Sequence, residues 1–264
     1  MTVRTTLTVS RLTAVLAAIG FAYSAAVFAN HPVLVEGESD FDGDGLIGVD
    51  EDNDNDTDQV FGTIAAALGS ANRAANQNGH VIVVTSGRFN EVVSITAANG
   101  DVTLQGAPGV EAEIEAVRAG DSNSASRQGA PGIVVDAPAN RYVIIRNISS
   151  RNWTDGIRIL GDSRVLIDNC RIEHNVNNNI LATDLSVVAI TNSQVIGAGR
   201  RQGANLDNTP NPGNGITFNA FSSGTIVNTV VTGSAGAGIS NNTVPTSAVR
   251  VTNSTVFDNN PNLD

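Results

Sequence analysis

The segment Gly156-Ile157-Arg158-Ile159, followed by Arg164-Val165-Leu166-Ile167-Asp168-Asn169-Cys170-Arg171-Ile172, holds one full copy of a unit that recurs along this chain. Five times an apolar residue stands two places before an asparagine: Ile145-Arg146-Asn147, Ile167-Asp168-Asn169, Ile190-Thr191-Asn192, Ile226-Val227-Asn228 and Val251-Thr252-Asn253. Successive asparagines lie 22, 23, 36 and 25 residues apart. A second register runs in phase with the first: Gly132-Ile133, Gly156-Ile157, Asn179-Ile180, Gly215-Ile216 and Gly238-Ile239. Each unit has room for short strands between sharp polar turns, and none for two helices. Units of this length bury their apolar faces only by stacking on their neighbours, which makes a solenoid.

Within a unit, Gly156–Ile159 reads as a first strand, Arg164–Ile167 as a second and Cys170–Ile172 as a third. Asn169 lies at the bend between the last two, because asparagine tolerates left-handed backbone angles. Stacked amides are expected to bond up the column of asparagines. Upstream, Ile64, Ala67, Leu68, Ala71 and Ala75 share one helical face between Thr63 and Asn78, so a helix is expected to cover the open first rung. His80–Thr85 reads as a strand, Ser86–Glu91 as a turn, and Val92–Ile95 and Asp101–Gln105 as further strands.

This entry, with Val81-Ile82-Val83-Val84, Gly87-Arg88-Phe89-Asn90-Glu91 and Val102-Thr103-Leu104-Gln105-Gly106, resembles that of right-handed parallel β-helices of the pectate-lyase-like superfamily. That entry commonly carries a proline and a tyrosine where this chain has Ser86 and Phe89. The resemblance spans about residues 60–260 and implies an all-β, single-stranded solenoid of about seven coils with an N-terminal capping helix. It says little about activity, because the superfamily includes lyases, hydrolases, esterases, epimerases and non-catalytic adhesins. The expected organisation is a secretory signal over 1–29, an acidic calcium-loop-like linker over 30–59 and the β-helix over 60–264.

Arg4 and Arg11 precede an apolar run ending at Val27-Phe28-Ala29, the pattern of a cleaved signal; a retained anchor is the competing reading. No other stretch is apolar enough to span a membrane, and the protein is expected to be secreted, periplasmic or at the cell surface. Cys170 is the only cysteine, so no internal disulfide exists, and its place in a unit suggests a small buried residue. The net charge of −11 is uneven: Glu36 to Asp58 holds eleven acids and no base. Residues 59–264 hold 15 acids and 13 arginines, about −2, and lysine is absent from the chain. Such a body offers no basic surface for nucleic acid.

The acidic stretch contains Asp40-Phe41-Asp42-Gly43-Asp44-Gly45-Leu46-Ile47-Gly48-Val49-Asp50-Glu51, which meets the calcium-loop pattern D-x-D-x-D-G-x5-E. Asp40, Asp42, Asp44, the carbonyl of Leu46 and Glu51 are the expected calcium ligands. The competing reading is a solvated acidic linker.

The 36-residue interval contains an excursion, Gly197 to Gly213, at a corner where repeat proteins place binding loops. In the resembled superfamily, loops at this corner help wall a sugar-binding groove. Strand alternation puts Val134, Arg158, Leu181, Thr217 and Ser240 in one outward column, and Asp136, Leu160, Thr183, Asn219 and Asn242 in the next. Arg158 and Asp136 are the candidate catalytic pair for uronate elimination. Arg200, Arg201, Asp207, His174, Thr217 and Asn219 are candidate substrate contacts, with Glu173 beside His174. No recognised hydrolase or epimerase motif is present. The readings that remain are a β-helix binding extracellular polysaccharide along its long face, a calcium-dependent uronate lyase, and a surface adhesin or self-stacking subunit partnered at its C-terminal end.

Overall fold

The computed structural model describes residues 33–35, 59–71, 80–84, 87–109, 112–116, 129–199, 213–244 and 248–260. Their strands stand on one another in three wholly parallel sheets, so the chain winds as a β-helix. The first-strand sheet takes β5 (Val93–Thr96), β8 (Ile133–Asp136), β11 (Asp155–Ile159), β14 (Asn178–Ala182), β17 (Asn214–Ala220) and β20 (Ile239–Thr243). The second takes β1 (Val33–Val35), β2 (Gln59–Phe61), β3 (His80–Val84), β6 (Val102–Gly106), β9 (Tyr142–Arg146), β12 (Arg164–Asp168), β15 (Val187–Thr191), β18 (Ser223–Val227) and β21 (Val249–Thr252). The third takes β4 (Gly87–Phe89), β7 (Ala112–Glu115), β10 (Ile148–Arg151), β13 (Arg171–Glu173), β16 (Gln194–Ile196), β19 (Val230–Thr232) and β22 (Thr255–Phe257). Its seven strands match the expected number of coils.

The five asparagines are the hinges of this winding. Asn147, Asn169, Asn192, Asn228 and Asn253 all have φ between 49° and 55°, the left-handed region that asparagine enters at low cost. Asn169 Nδ2 donates to Asn147 Oδ1 at 2.8 Å, and Asn228 Nδ2 to Asn192 Oδ1 at 3.3 Å. The amide ladder is interrupted between them, because Asn192 Nδ2 turns to Asp168 Oδ1 at 2.8 Å. An ionised carboxylate is the stronger acceptor, and it also takes the Thr191 hydroxyl at 2.6 Å.

A second rail runs beside the first. From Asn169 onward, the residue after each bend is Cys170, Ser193, Thr229 and Ser254 in turn. The Cys170 amide donates to Ser193 Oγ at 3.1 Å, the Ser193 amide to Thr229 Oγ1 at 3.4 Å, and the Thr229 amide to Ser254 Oγ at 3.1 Å. Each hydroxyl donates in turn to the carbonyl two residues back. Cys170 Sγ makes the same contact to Asp168 at 3.3 Å, so the thiol occupies a hydroxyl's place in the rail.

The core is built from columns. Ile133, Ile157, Ile180 and Ile216 are wholly buried and Ile239 nearly so, each above the last in register. Burying one such side chain contributes roughly 1.5–3 kcal/mol. Gly156 precedes this column because a Cβ there would lie 2.5 Å from Ile172 Cγ2 and 2.7 Å from the Asn179 carbonyl. In the next coil Asn179 stands in that column with its amide buried, accepting from Asn175 Nδ2 at 2.9 Å and donating to the Ile196 carbonyl at 2.9 Å.

At the N-terminal end, helix α1 (Ile64–Ala71) buries Ile64, Ala67 and Leu68 against the first rungs. The carboxylate of Glu91 receives the amides of Ile64 and Ala65, both at 2.8 Å, and so caps the helix from a distant part of the chain. The segment read as a turn over Ser86–Glu91 instead contains β4, whose Phe89 is 5% exposed and pairs with Ile114. β1 falls within the stretch read as acidic linker, yet it pairs with both β2 and β3 and adds a rung. Residues 1–29, read as a signal, lie outside the described residues; among the described residues no helix is long and apolar enough to cross a membrane.

Burial pushes the Cys170 thiol up to about 12 from its ordinary value of 9.0. A raised thiol pKa means that the stability it confers is intact below pH 9 and drains away as pH climbs towards 12. The stability gap between the native chain and Cys170→Ala should therefore shrink by roughly 1.4 kcal/mol per pH unit in that window. Urea midpoints at stepped pH measure it, and a constant gap contradicts the assignment.

Candidate functional site

Third strands are short, so each presents two outward residues around one inward residue. In β7 these are Glu113 and Glu115 around Ile114; in β10, Ser149 and Arg151 around Ser150; in β13, Arg171 and Glu173 around Ile172. Parallel register stacks them into two columns. One runs Arg88, Glu113, Ser149, Arg171, Gln194; the other runs Glu115, Arg151, Glu173, Ile196.

Arg151 sits at the centre. Its Nη2 donates to Glu113 Oε2 at 2.8 Å and to Glu115 Oε2 at 3.2 Å. Its Nε lies 2.6 Å from Glu113 Oε1, but the N–H is poorly aligned, so that contact is ionic and not a hydrogen bond. Nη1 is 3.9 Å from Glu173 Oε1. Arg88 Nε reaches Glu113 Oε2 at 3.0 Å, and Arg171 Nη2 reaches Glu173 Oε2 at 2.7 Å. Asn152 Nδ2 donates to Glu115 Oε1 at 2.8 Å.

The three carboxylates are under 9% exposed as side chains, whereas Arg88 is 68% and Arg171 50% exposed. Removal from water disfavours the Arg151 cation, but Glu113, Glu115 and Glu173 outweigh that penalty and hold its pKa above the ordinary arginine value. A cation held in this way stays charged, and stabilising, throughout the neutral and mildly alkaline range.

This arrangement suits binding better than proton transfer. Glycoside hydrolysis needs two carboxyls facing across the substrate, and here one guanidinium fills the space between Glu113 and Glu115. Nor do the described residues include a cluster of three or more acids, histidines or cysteines suited to a metal ion. The open elements are the guanidiniums of Arg88 and Arg171, each anchored by a buried acid.

The residues singled out from sequence distribute themselves differently. Arg158 Nε donates to Asp155 Oδ2 at 2.9 Å, and its Nη2 contacts the same oxygen. Asp155 is 1% exposed, and its other oxygen accepts from the amide and side chain of Asn178 at 3.1 and 2.9 Å. Thr217 Oγ1 donates to Asn178 Oδ1 at 2.7 Å. Arg158 and Thr217 thus share one network, through Asp155 and not through Asp136, which lies exposed at the end of β8. Asn219 joins its expected column by accepting from Asn242 Nδ2 at 3.1 Å.

His174 adopts φ 55° and packs its ring over Gly197, with Nδ1 buried and unpartnered and Nε2 3.9 Å from Glu173. It therefore borders the third-strand array. The excursion leaves and rejoins the coil at one neck: a Cβ on Gly213 would lie 2.1 Å from the Gly199 nitrogen. Arg200, Arg201 and Asp207, within that loop, lie outside the described residues, as do Asp40, Asp42, Asp44, Leu46 and Glu51 of the acidic stretch.

Glu113, Glu115 and Arg151 were not singled out from sequence. Their signal was present as charged residues flanking one inward position on third strands. Pairing them required knowing that Glu115 and Arg151, 36 positions apart, stand opposite each other.

A model for the family described as right handed beta helix region matches residues 72–256. Among solved structures, the pectin methylesterase from Aspergillus niger in deglycosylated form is similar at 14% identity, with 86% of each chain covered and a TM-score of 0.39. No curated protein sequence matches.

Replacing Arg151 with methionine should leave buried acids uncompensated and destabilise the fold by about 3–5 kcal/mol. Urea unfolding of Arg151→Met measures this, and a change below ~1 kcal/mol contradicts a central role for the cation.

Proposed function

The chain belongs to the right-handed β-helix family, and from that premise we propose that it is a secreted protein that binds extracellular polysaccharide along its long third-strand face. The observation that carries this reading is the pair of open guanidiniums, Arg88 and Arg171, held in place by buried Glu113 and Glu173. A solenoid repeats its surface at strand spacing, about 4.8 Å, which suits a ligand that is itself a repeating polymer. Donors already fixed by buried partners lose little freedom on binding. The near-neutral body argues against nucleic acid as the polymer.

Elimination on uronates is the second reading. In its favour, Arg158 keeps 31% of its side chain exposed at the head of the Asp155–Asn178–Thr217 network. Arg158 would have to loosen its bond to Asp155 to neutralise a sugar carboxylate.

A glycan array with purified chain tests the first reading, and absence of binding to every glycan removes it. The double variant Arg88→Ala/Arg171→Ala should weaken binding about tenfold or more while the fold is retained. Ultraviolet absorbance on pectate, alginate and glycosaminoglycans tests the second: unsaturated product that disappears in Arg158→Ala supports it, and a flat trace removes it for those substrates.

Calcium in the acidic stretch is part of the proposal. That stretch leaves from β1 and returns at β2, which are neighbouring strands, so an ion closing the loop would tie the N-terminal edge together. With a dissociation constant of ~10⁻⁴ to 10⁻³ M, 10 mM calcium should stabilise the chain by about 1.4–2.7 kcal/mol over chelator. The gain should vanish in Asp42→Asn/Asp44→Asn; an equal gain in that variant places the ion elsewhere.

A further inference from the structure

We propose that the corner between the second- and third-strand sheets carries a subsite for one uncharged pyranose unit, an inference that rests on the polysaccharide reading above and narrows its ligand. A cleft of ≈470 Å³ opens there beside the asparagine bends, within the size range of small-molecule sites. Its apolar part is Ala107, Ala112 and Ile148, all buried. Its polar part is Asn147, Asn169, Ser149 and Arg171.

Ser149 is the decisive residue. It is 5% exposed, lines this cleft, and its Oγ has no hydrogen-bond partner. A buried hydroxyl left unpaired is costly, and the serines and threonine of the neighbouring rail are all satisfied. Ser149 lines the cleft, and a turn about its χ1 would bring this orphan hydroxyl, itself shielded from solvent, to a ligand group there. Arg171, half exposed, has Nε and Nη2 on Glu173 and Nη1 on Gln194, which leaves part of its five-donor fork open to the cleft. Asn169 gives its Nδ2 to Asn147, so its Oδ1 is left as an acceptor on an exposed residue.

Charge decides the class of sugar. In register, Ser149 stands between Glu113 and Arg171. Across the array Arg88, Arg151 and Arg171 balance Glu113, Glu115 and Glu173, so the corner has no surplus positive charge. Arg171 lines the cleft with its charge already met by buried Glu173, so a uronate carboxylate would have to compete with Glu173 for the guanidinium. Hydroxyls, which donate and accept, match a serine, two amides and a shared guanidinium, while the apolar floor takes the C–H face of the ring. Among the described residues no aromatic lines the cleft, so a single unit binds weakly and a polymer gains by spanning several coils.

The test is amide NMR of the full chain titrated to ~100 mM, the range for millimolar binding, with methyl α-D-glucopyranoside, methyl β-D-galactopyranoside or sodium galacturonate at matched ionic strength. At least one neutral glycoside should shift the Ser149 backbone and the Asn147 and Asn169 side-chain amides, and galacturonate should not. Ser149→Ala should weaken that response about fivefold, while its unfolding midpoint stays level or rises because the orphan hydroxyl is gone. Shifts with galacturonate alone, shifts unchanged in Ser149→Ala, or silence with all three probes overturn the subsite. Arg171→Gln supplies a second variant should Ser149→Ala fail to fold, and a neutral-sugar response unaltered in it counts equally against the proposal. Glycan-array binding on the same preparation separates the two readings: polymer binding with a silent corner leaves the long face standing, and loss of both removes both.

Discussion

A left-handed bend at one asparagine per turn locks the register of coil on coil, and the core, the rail and the charged face are built on that register. Asn147, Asn169, Asn192, Asn228 and Asn253 turn the chain through the same corner with φ within a few degrees of 50°. Parallel strands that meet in constant register place like positions above like. The isoleucine columns, the hydroxyl rail through Cys170, Ser193, Thr229 and Ser254, and the charged face of the third strands all follow from that coincidence. A slip of one residue would turn the buried isoleucines outward and the glutamates inward, so the core and the surface pattern enforce the same register.

The third-strand face shows what such a register allows. Placing Glu113, Glu115 and Glu173 out of water is unfavourable unless a cation is delivered to them in place. Arg151 reaches all three because β10 lies between β7 and β13. The more exposed Arg88 and Arg171 complete the neutralisation and remain open on their outer sides. The result is a polar surface that is rigid without bearing net charge. Among the described residues of this face, the carboxylates of Glu113, Glu115 and Glu173 are each engaged by an arginine.

The ends and the insertion are handled so that the register is not disturbed. Helix α1 covers the first rungs and is itself anchored by Glu91 from the coil beneath. β1 and β2 prolong the second-strand sheet beyond the first coil. The excursion after β16 closes on the Gly199–Gly213 neck, so β17 lands on β14 as though nothing had intervened. The inserted residues are thereby accommodated at a corner while the columns stay continuous.

The period, the bends and the inward columns were legible along the chain, because these depend on local properties that repeat: asparagine's tolerance of left-handed angles, alternation in strands, and glycine or a folded-in amide before each inward isoleucine. Strand alternation also placed Arg158, Thr217 and Asn219 in columns that match the strand pairing, with Thr217 itself buried. Which charges meet was settled by the folding of coil upon coil. Arg158 finds Asp155 in its own strand and not Asp136, and Asn192 leaves its column for the Asp168 carboxylate. Arg151 joins two glutamates lying 36 and 38 residues back. Such partners are chosen by distance and dielectric across coils, and neither quantity is written in the spacing of residues along the chain.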